Sequence, residues 1–247
     1  MLLAQASWIE IDAYLTRSRG VVIPIGSTEQ HGPNGLLGTD AICPETIAHE
    51  AAPEGGFLVT PTFSVGQAQH HMGFAGTITL RPSTMIAALQ DWISSLRRHG
   101  FEKFYFFNGH GGNIATIQAA FAECYAPWSL KGEPAPFACT LMNWWELPGV
   151  SEVCARLFPV GDGSHATASE VSVTYYRYPD ARKTVAMSPR IAPTGPIRDA
   201  ADYRRRFPDG RIGSDPSQAS PQAGGEIVRA AKQSLIADVA RFFGENA

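Results

Sequence analysis

The feature that most constrains this chain is the stretch over residues 21–40, VVIPIGSTEQHGPNGLLGTD. Val21, Val22, Ile23 and Ile25 make a short apolar run of the kind carried by a parallel strand buried on both faces. Gly26 and Ser27 break that run into a loop, and polar chemistry begins where the strand stops. Glu29 and His31 are two residues apart, so in extended backbone their side chains leave on the same side. Asp40 returns from a loop rich in Gly, Pro and Asn. Glu, His and Asp are ligand types that zinc, manganese and iron accept. Two plainer readings stand beside that one: a polar rim at a strand end, and Asp40 as the N-cap of a helix over AICPETIAHEAA.

The same organisation recurs at residues 103–113. KFYFF reads as a strand that runs into Asn108-Gly109-His110-Gly111-Gly112-Asn113 before a helix over about 114–125. Residues 57–61 and 137–142 are two more apolar strand candidates, and 77–80 alternates as an edge or hairpin strand would. Ser7 can cap a first helix from Trp8, and 83–99 is amphipathic, with Met85, Ile86, Leu89, Trp92, Ile93 and Leu96 at helical spacing. Gly161-Asp162-Gly163-Ser164-His165 leads into a helix through Glu170 and Tyr176, and 221–243 is a long closing helix. Residues 184–220, rich in Pro, Gly and Arg, read as irregular and packed against a neighbour. Strand–turn–helix units in alternation imply a parallel sheet with helices on both faces, and such sheets gather ligands at the carboxyl ends of their strands. Glu29, His31, Asp40, His110 and His165 all fall there.

Composition excludes several other classes. The net charge of −3 and a pI near 6.2 leave no basic face for nucleic acid beyond the short Arg204-Arg205-Arg206 cluster. Cys43, Cys124, Cys139 and Cys154 form no C-x-x-C pair, so neither a zinc ribbon nor a redox motif is indicated, and free thiols in a reducing compartment are expected. The N-terminus lacks the basic region of a signal peptide, and no apolar run approaches the ~20 residues of a membrane span. A cytoplasmic protein of one domain over 1–247 is expected. Charged residues make up only 17%, against roughly 25% in typical domains, which points to subunit interfaces.

The motifs STEQHGPNGLLGTD, NGHGGN and GSHATASE resemble the signature motifs of the creatinine amidohydrolase (creatininase) family, with matching spacing over roughly residues 20–175. The resemblance implies a three-layer α/β/α fold with a mainly parallel sheet and two divalent ions per chain, zinc or manganese with iron possible. It also implies hydrolysis of a cyclic or otherwise non-peptide amide, and a homo-oligomer, commonly a hexamer. Carried over by motif, Glu29 and His110 would bind one metal, His31 the other, and Asp40 would bridge both. Creatininase proper has a glutamate two residues after the NGH histidine, where this chain has Gly112. In relatives that read NGHGGN the carboxylate is expected from the later helix, and here that is Glu170, with Glu146 and Asp162 as fallbacks. His165 matches a histidine near the substrate, suited to proton transfer, and Trp144 matches an aromatic substrate contact.

The expected activity is therefore attack of a metal-bridging hydroxide on the carbonyl of a small-molecule amide, creatinine-like in its chemistry. The Gly112 departure keeps open a formamide hydrolase acting on a formylamino-pyrimidine nucleotide, processing of a small peptide, and a non-catalytic metal-binding relative. His49 and His99 match no ligand position and read as surface residues. His70 and His71 stay open between the cleft border and a surface loop.

Overall fold

The apolar runs form four short strands in a computed structural model that describes residues 1–244. They are β1 (Gly20–Ile25), β2 (Leu58–Val59), β3 (Lys103–Asn108) and β4 (Ala138–Asn143). The sheet has the order β2-β1-β3-β4 and every pairing is parallel, with Val22 opposite Tyr105 and Tyr105 opposite Thr140. Parallel neighbours need crossovers, and α2 (Thr39–Gly55), α3 (Pro82–Arg98) and α4 (Ile114–Ser129) supply them; α1 (Trp8–Leu15) precedes the first strand, and α5 (Val150–Leu157), α6 (Ala168–Arg177), α7 (Ala200–Arg206) and α8 (Pro221–Gly244) follow the last.

Strand alternation divides the core in two. Val22, Tyr105 and Phe107 face Ile47, Ala51, Val173, Ile227 and Leu235, which come from α2, α6 and α8. Val21, Ile23, Ile25, Phe104 and Phe106 face Tyr14, Met85, Leu89, Ile93 and Ile117, from α1, α3 and α4. The three layers are thus helix, sheet, helix. Each aromatic of KFYFF is fully buried and contributes about 1.5–3 kcal/mol through removal of apolar surface from water.

Several sequence expectations are corrected. Residues 77–80 form no strand; Ile78 makes a single bridge to Thr28, and the loop is held instead by Thr79 and by the Leu80 amide donating to the Gly66 carbonyl. Asp40 is not an N-cap, because α2 starts two residues earlier than the plainer reading placed it, at Thr39, with Gly38 at the cap and Asp40 in its first turn. Residues 184–220 contain α7, and much of the segment packs on its own chain: Arg211 is fully buried, donating to the carbonyls of Pro189, Arg190 and Ser214 and pairing with Asp209. Among the described residues, no helix is long and apolar enough to cross a membrane.

Candidate metal centre

Backbone packing puts Asp40 between two strand ends. A Cβ on Gly26, just after β1, would lie 2.2 Å from the Asp40 carbonyl oxygen, and one on Gly109, just after β3, would lie 1.9 Å from the same atom. Only residues without side chains let the first turn of α2 come this near the sheet. Two asparagines brace the turn between them. Asn108 donates to the His110 carbonyl at 2.7 Å and to Asn143 at 2.8 Å, tying the ends of β3 and β4 together, and Asn113 donates to the Gly26 carbonyl at 2.9 Å. No role was read for these asparagines from the sequence, although their places on either side of NGHGGN were the available signal.

Each histidine has one nitrogen occupied by a carbonyl, and this sets which lone pair faces the centre. His31 Nδ1 donates to the Glu29 carbonyl at 3.1 Å, so Nε2 faces Asp40 Oδ1 at 3.0 Å and Glu170 Oε2 at 3.8 Å. His110 Nε2 donates to the Gln67 carbonyl at 2.9 Å, so Nδ1 faces Asp40 Oδ2 at 3.1 Å. His165 Nε2 donates to the Gln30 carbonyl at 2.8 Å, leaving Nδ1 3.9 Å from Glu29 Oε1. A carbonyl partner behind a ligating imidazole fixes its tautomer and orientation. His165 sits in the loop before its helix, since α6 begins at Ala168 with Thr167 as its cap.

Glu170 serves that cap with one oxygen only. Its Oε1 accepts from the Thr167 amide at 2.6 Å in a capping box, and Oε2 is the oxygen turned toward His31. A side chain at Gly112 has no room, because a Cβ there would fall 2.4 Å from His110 Nε2. Of the carboxylates the sequence offers for this place, Glu170 is the one within reach of His31 and Asp40, and neither fallback joins the groups found among the described residues. Asp162 accepts from the Ser169 amide and hydroxyl, and Glu146 accepts from Asn143.

Two groups of side chains lie close enough to hold one cation each: Glu29, Asp40 and His110, and His31, Asp40 and Glu170. A third overlapping group is Glu29, His31 and His165. The donor set fits a cation, because Glu29 Oε1 and Asp40 Oδ2 are buried without a hydrogen-bond partner, a state that costs on the order of 1–3 kcal/mol each if nothing satisfies them. Protons balance the cluster otherwise. Burial disfavours the cation on His31, yet Asp40 and Glu170 outweigh it and push the pKa up to about 10; on His110, Glu29 and Asp40 likewise overcome burial and push it up to about 9. Burial raises Glu29 and takes Glu170 up to about 7, whereas His31 and His110 overcome burial at Asp40 and hold it well below the carboxylate range. His165 stays neutral, pressed down by burial and by His31.

The centre opens into a cavity of about 400 Å³ lined by Trp144, Trp145, Asp162, Ser164, Thr167 and Ser169 among others. Trp144, the expected substrate contact, lies in the turn after β4, 3% exposed and packed into the core against α2, α6 and α8 as well as on the cavity wall, with its ring edge-on to Trp145. His71, left open by the sequence, is buried against Glu29, its Nε2 3.0 Å from Oε1; His70 is half-buried and stacks on Tyr203. Gln30 and Tyr203 complete that side of the site and were missed, because neither belongs to a ligand pattern.

This fold and cluster define an α/β protein with a candidate metal centre at its strand ends, and comparison with known proteins narrows the class. The family model described as creatinine amidohydrolase matches residues 4–239, and the chain belongs to the creatininase family, whose members are metal-dependent amidohydrolases. A creatinine amidohydrolase of Pseudomonas putida is 27% identical over 190 residues, 73% of each chain. A mycofactocin precursor peptide peptidase of Mycobacterium ulcerans is 26% identical over 237 residues, 90% of this chain and 85% of the relative. A solved structure titled "Creatininase Mn" superposes with a TM-score of 0.84 at 24% identity over 99% of both chains; at that identity the likeness is one of fold.

Proposed function

We propose that the chain is an amidohydrolase with two divalent cations, bridged by Asp40, that cleaves a non-peptide or cyclic amide C–N bond in a small molecule. The observation that carries this reading is the division of the Asp40 carboxylate, Oδ1 at 3.0 Å from His31 Nε2 and Oδ2 at 3.1 Å from His110 Nδ1. In this reading Glu29 and His110 complete one site, and His31 and Glu170 the other. Zinc or manganese suits such a mixed imidazole and carboxylate set. When bound, such ions polarise an amide carbonyl and make water nucleophilic at neutral pH.

The chain's own residues then manage the proton and the substrate. His165 presents a bare Nδ1, so it takes the proton released on attack and passes it to the departing nitrogen. Its Nε2 bond to the Gln30 carbonyl keeps the ring from turning between those two events. Trp144 and Trp145 wall the cavity for a flat substrate. No Lys or Arg is among the described residues that line it, so a phosphate held away from the cations meets no side-chain counter-charge on the wall, and we favour a substrate without phosphate.

The test is a hydrolysis screen of creatinine, formamides, small lactams and short peptides with metal-loaded protein. Metal-dependent cleavage of an uncharged amide, lost in Asp40→Asn, is the expected result. A loaded protein that cleaves only phosphorylated formamides would contradict the substrate reading. We also propose a homo-oligomer, supported by large apolar side chains left exposed on the single chain, among them Trp8 at 74% and Leu130 at 88%. A monomeric mass by light scattering at micromolar concentration would refute it.

A further inference from the structure

His71 is a buried histidine that belongs to none of the groups able to hold a cation found among the described residues. What it does follows from the amide of Gln30. Gln30 Oε1 accepts from the Gly32 amide at 2.9 Å, and this settles which end of the side chain is nitrogen. The opposite end, Nε2, meets the Gly210 carbonyl at 3.0 Å and His71 Nδ1 at 3.0 Å. His165 Nε2 lies equally near, but its proton is committed to the Gln30 carbonyl, while the Tyr203 hydroxyl, which gives its own proton to Gly210 at 2.7 Å, is a further acceptor for Nε2 at 3.1 Å. An amide nitrogen can only donate, so His71 Nδ1 accepts and is bare. The proton of the neutral ring must then be on Nε2.

That nitrogen lies 3.0 Å from Glu29 Oε1. A protonated Nε2 cannot ligate a cation, so His71 is a donor and not a ligand. Oε1 is the buried oxygen without a completed hydrogen bond, and His71 Nε2 lies within donor–acceptor distance of it. The second oxygen of Glu29 accepts from the Ser27 hydroxyl at 2.8 Å. Two donors on opposite oxygens leave the carboxylate one orientation, with Oε2 3.3 Å from His110 Nε2. The support behind His71 is close-packed: a Cβ on Gly210, which has φ of +84°, would fall 1.9 Å from Gln30 Oε1. The loop after α7 therefore holds Gln30 directly.

From this geometry we infer that His71, with its tautomer fixed by Gln30, is the positioning residue that orients Glu29 for cation binding. The inference deepens the proposed function and rests on it only in naming what Glu29 holds. Partners behind a metal ligand typically change affinity 10–100-fold when removed.

The test measures zinc and manganese affinity by chelator competition in the wild type, His71→Leu and His71→Gln, with the fold of each metal-free variant followed by circular dichroism. His71→Leu should weaken one ion about 10–100-fold and leave the other unchanged. His71→Gln, which keeps an N–H toward Glu29 and an acceptor toward Gln30, should restore most of that loss. Nitrogen-detected NMR of the metal-free protein should find His71 protonated on Nε2. The inference is overturned if His71→Leu binds both ions as tightly as the wild type, if both variants lose both ions together with their fold, or if Nδ1 carries the proton. A wild type with one ion, weakened by Leu and restored by Gln, overturns the two-ion reading and leaves this inference standing. A wild type that binds none overturns both.

Discussion

Gly109 and Asp40 touch so closely that a methyl group on the glycine would sit 1.9 Å from the aspartate's carbonyl oxygen. That contact puts the Asp40 carboxylate between the histidines of two different strand ends. Gly109→Ala should push the first turn of α2 away from the sheet, at a cost of about 1–3 kcal/mol for overpacking. It should also lower metal content at both proposed sites, since Asp40 is common to them. Denaturant titration and elemental analysis of the same preparation check the two effects together; a variant of unchanged stability and metal content would contradict the packing argument.

Glu170→Gln separates the two tasks of that side chain. Glutamine can take glutamate's place in the capping box, so the metal-free variant should unfold within about 1 kcal/mol of the parent. Lost charge at Oε2 should cost the ion shared with His31. Retention of two tightly bound ions by the variant would mean that the carboxylate is not a ligand.

Asp202 gives a prediction in pH. Hydrogen bonding from Arg206 first, then Arg205, outweighs burial and lowers its pKa to about 2, against ~3.9 in an unfolded chain. The folded value lies below the unfolded one, so the stabilisation is present above pH ~4 and is lost as pH falls through about 2. Asp202→Asn should therefore be less stable than the parent at pH 7, with the gap closing in acid. Urea melts across that range test it, and a gap that does not narrow would refute it.

Arg211 holds the loops over residues 189–214 from inside. Arg211→Met leaves three carbonyls and Asp209 without their donor, and should destabilise the fold by about 3–5 kcal/mol. A loss under ~1 kcal/mol by chemical denaturation would show that the loops do not depend on it.

The parts of this molecule that were legible in its sequence are those where local pattern and tertiary role coincide. VVIPI and KFYFF are apolar because the strands are buried on both faces, and ligand-type residues follow at once because the strand ends form the site. That Glu170 would lie beside His31 was legible through the resemblance together with the absence of a side chain at Gly112. His71 was not, since its partner Glu29 is distant in sequence and its loop has no period to read. The plainer reading of Asp40 as a cap stayed open in the sequence because Gly38, which takes that position, offers no side-chain signal. The segment over 184–220 looked unstructured for a related reason: Arg211 organises it through backbone carbonyls, which leave no trace in residue type.

The account's central claim is that Asp40 joins two cation sites, and the metal stoichiometry of the protein tests it most directly. Elemental analysis of protein purified without chelator and supplied with zinc or manganese should find two equivalents per chain in the wild type, with neither held tightly in Asp40→Asn. One equivalent per chain in the wild type, unchanged by added metal, would contradict it.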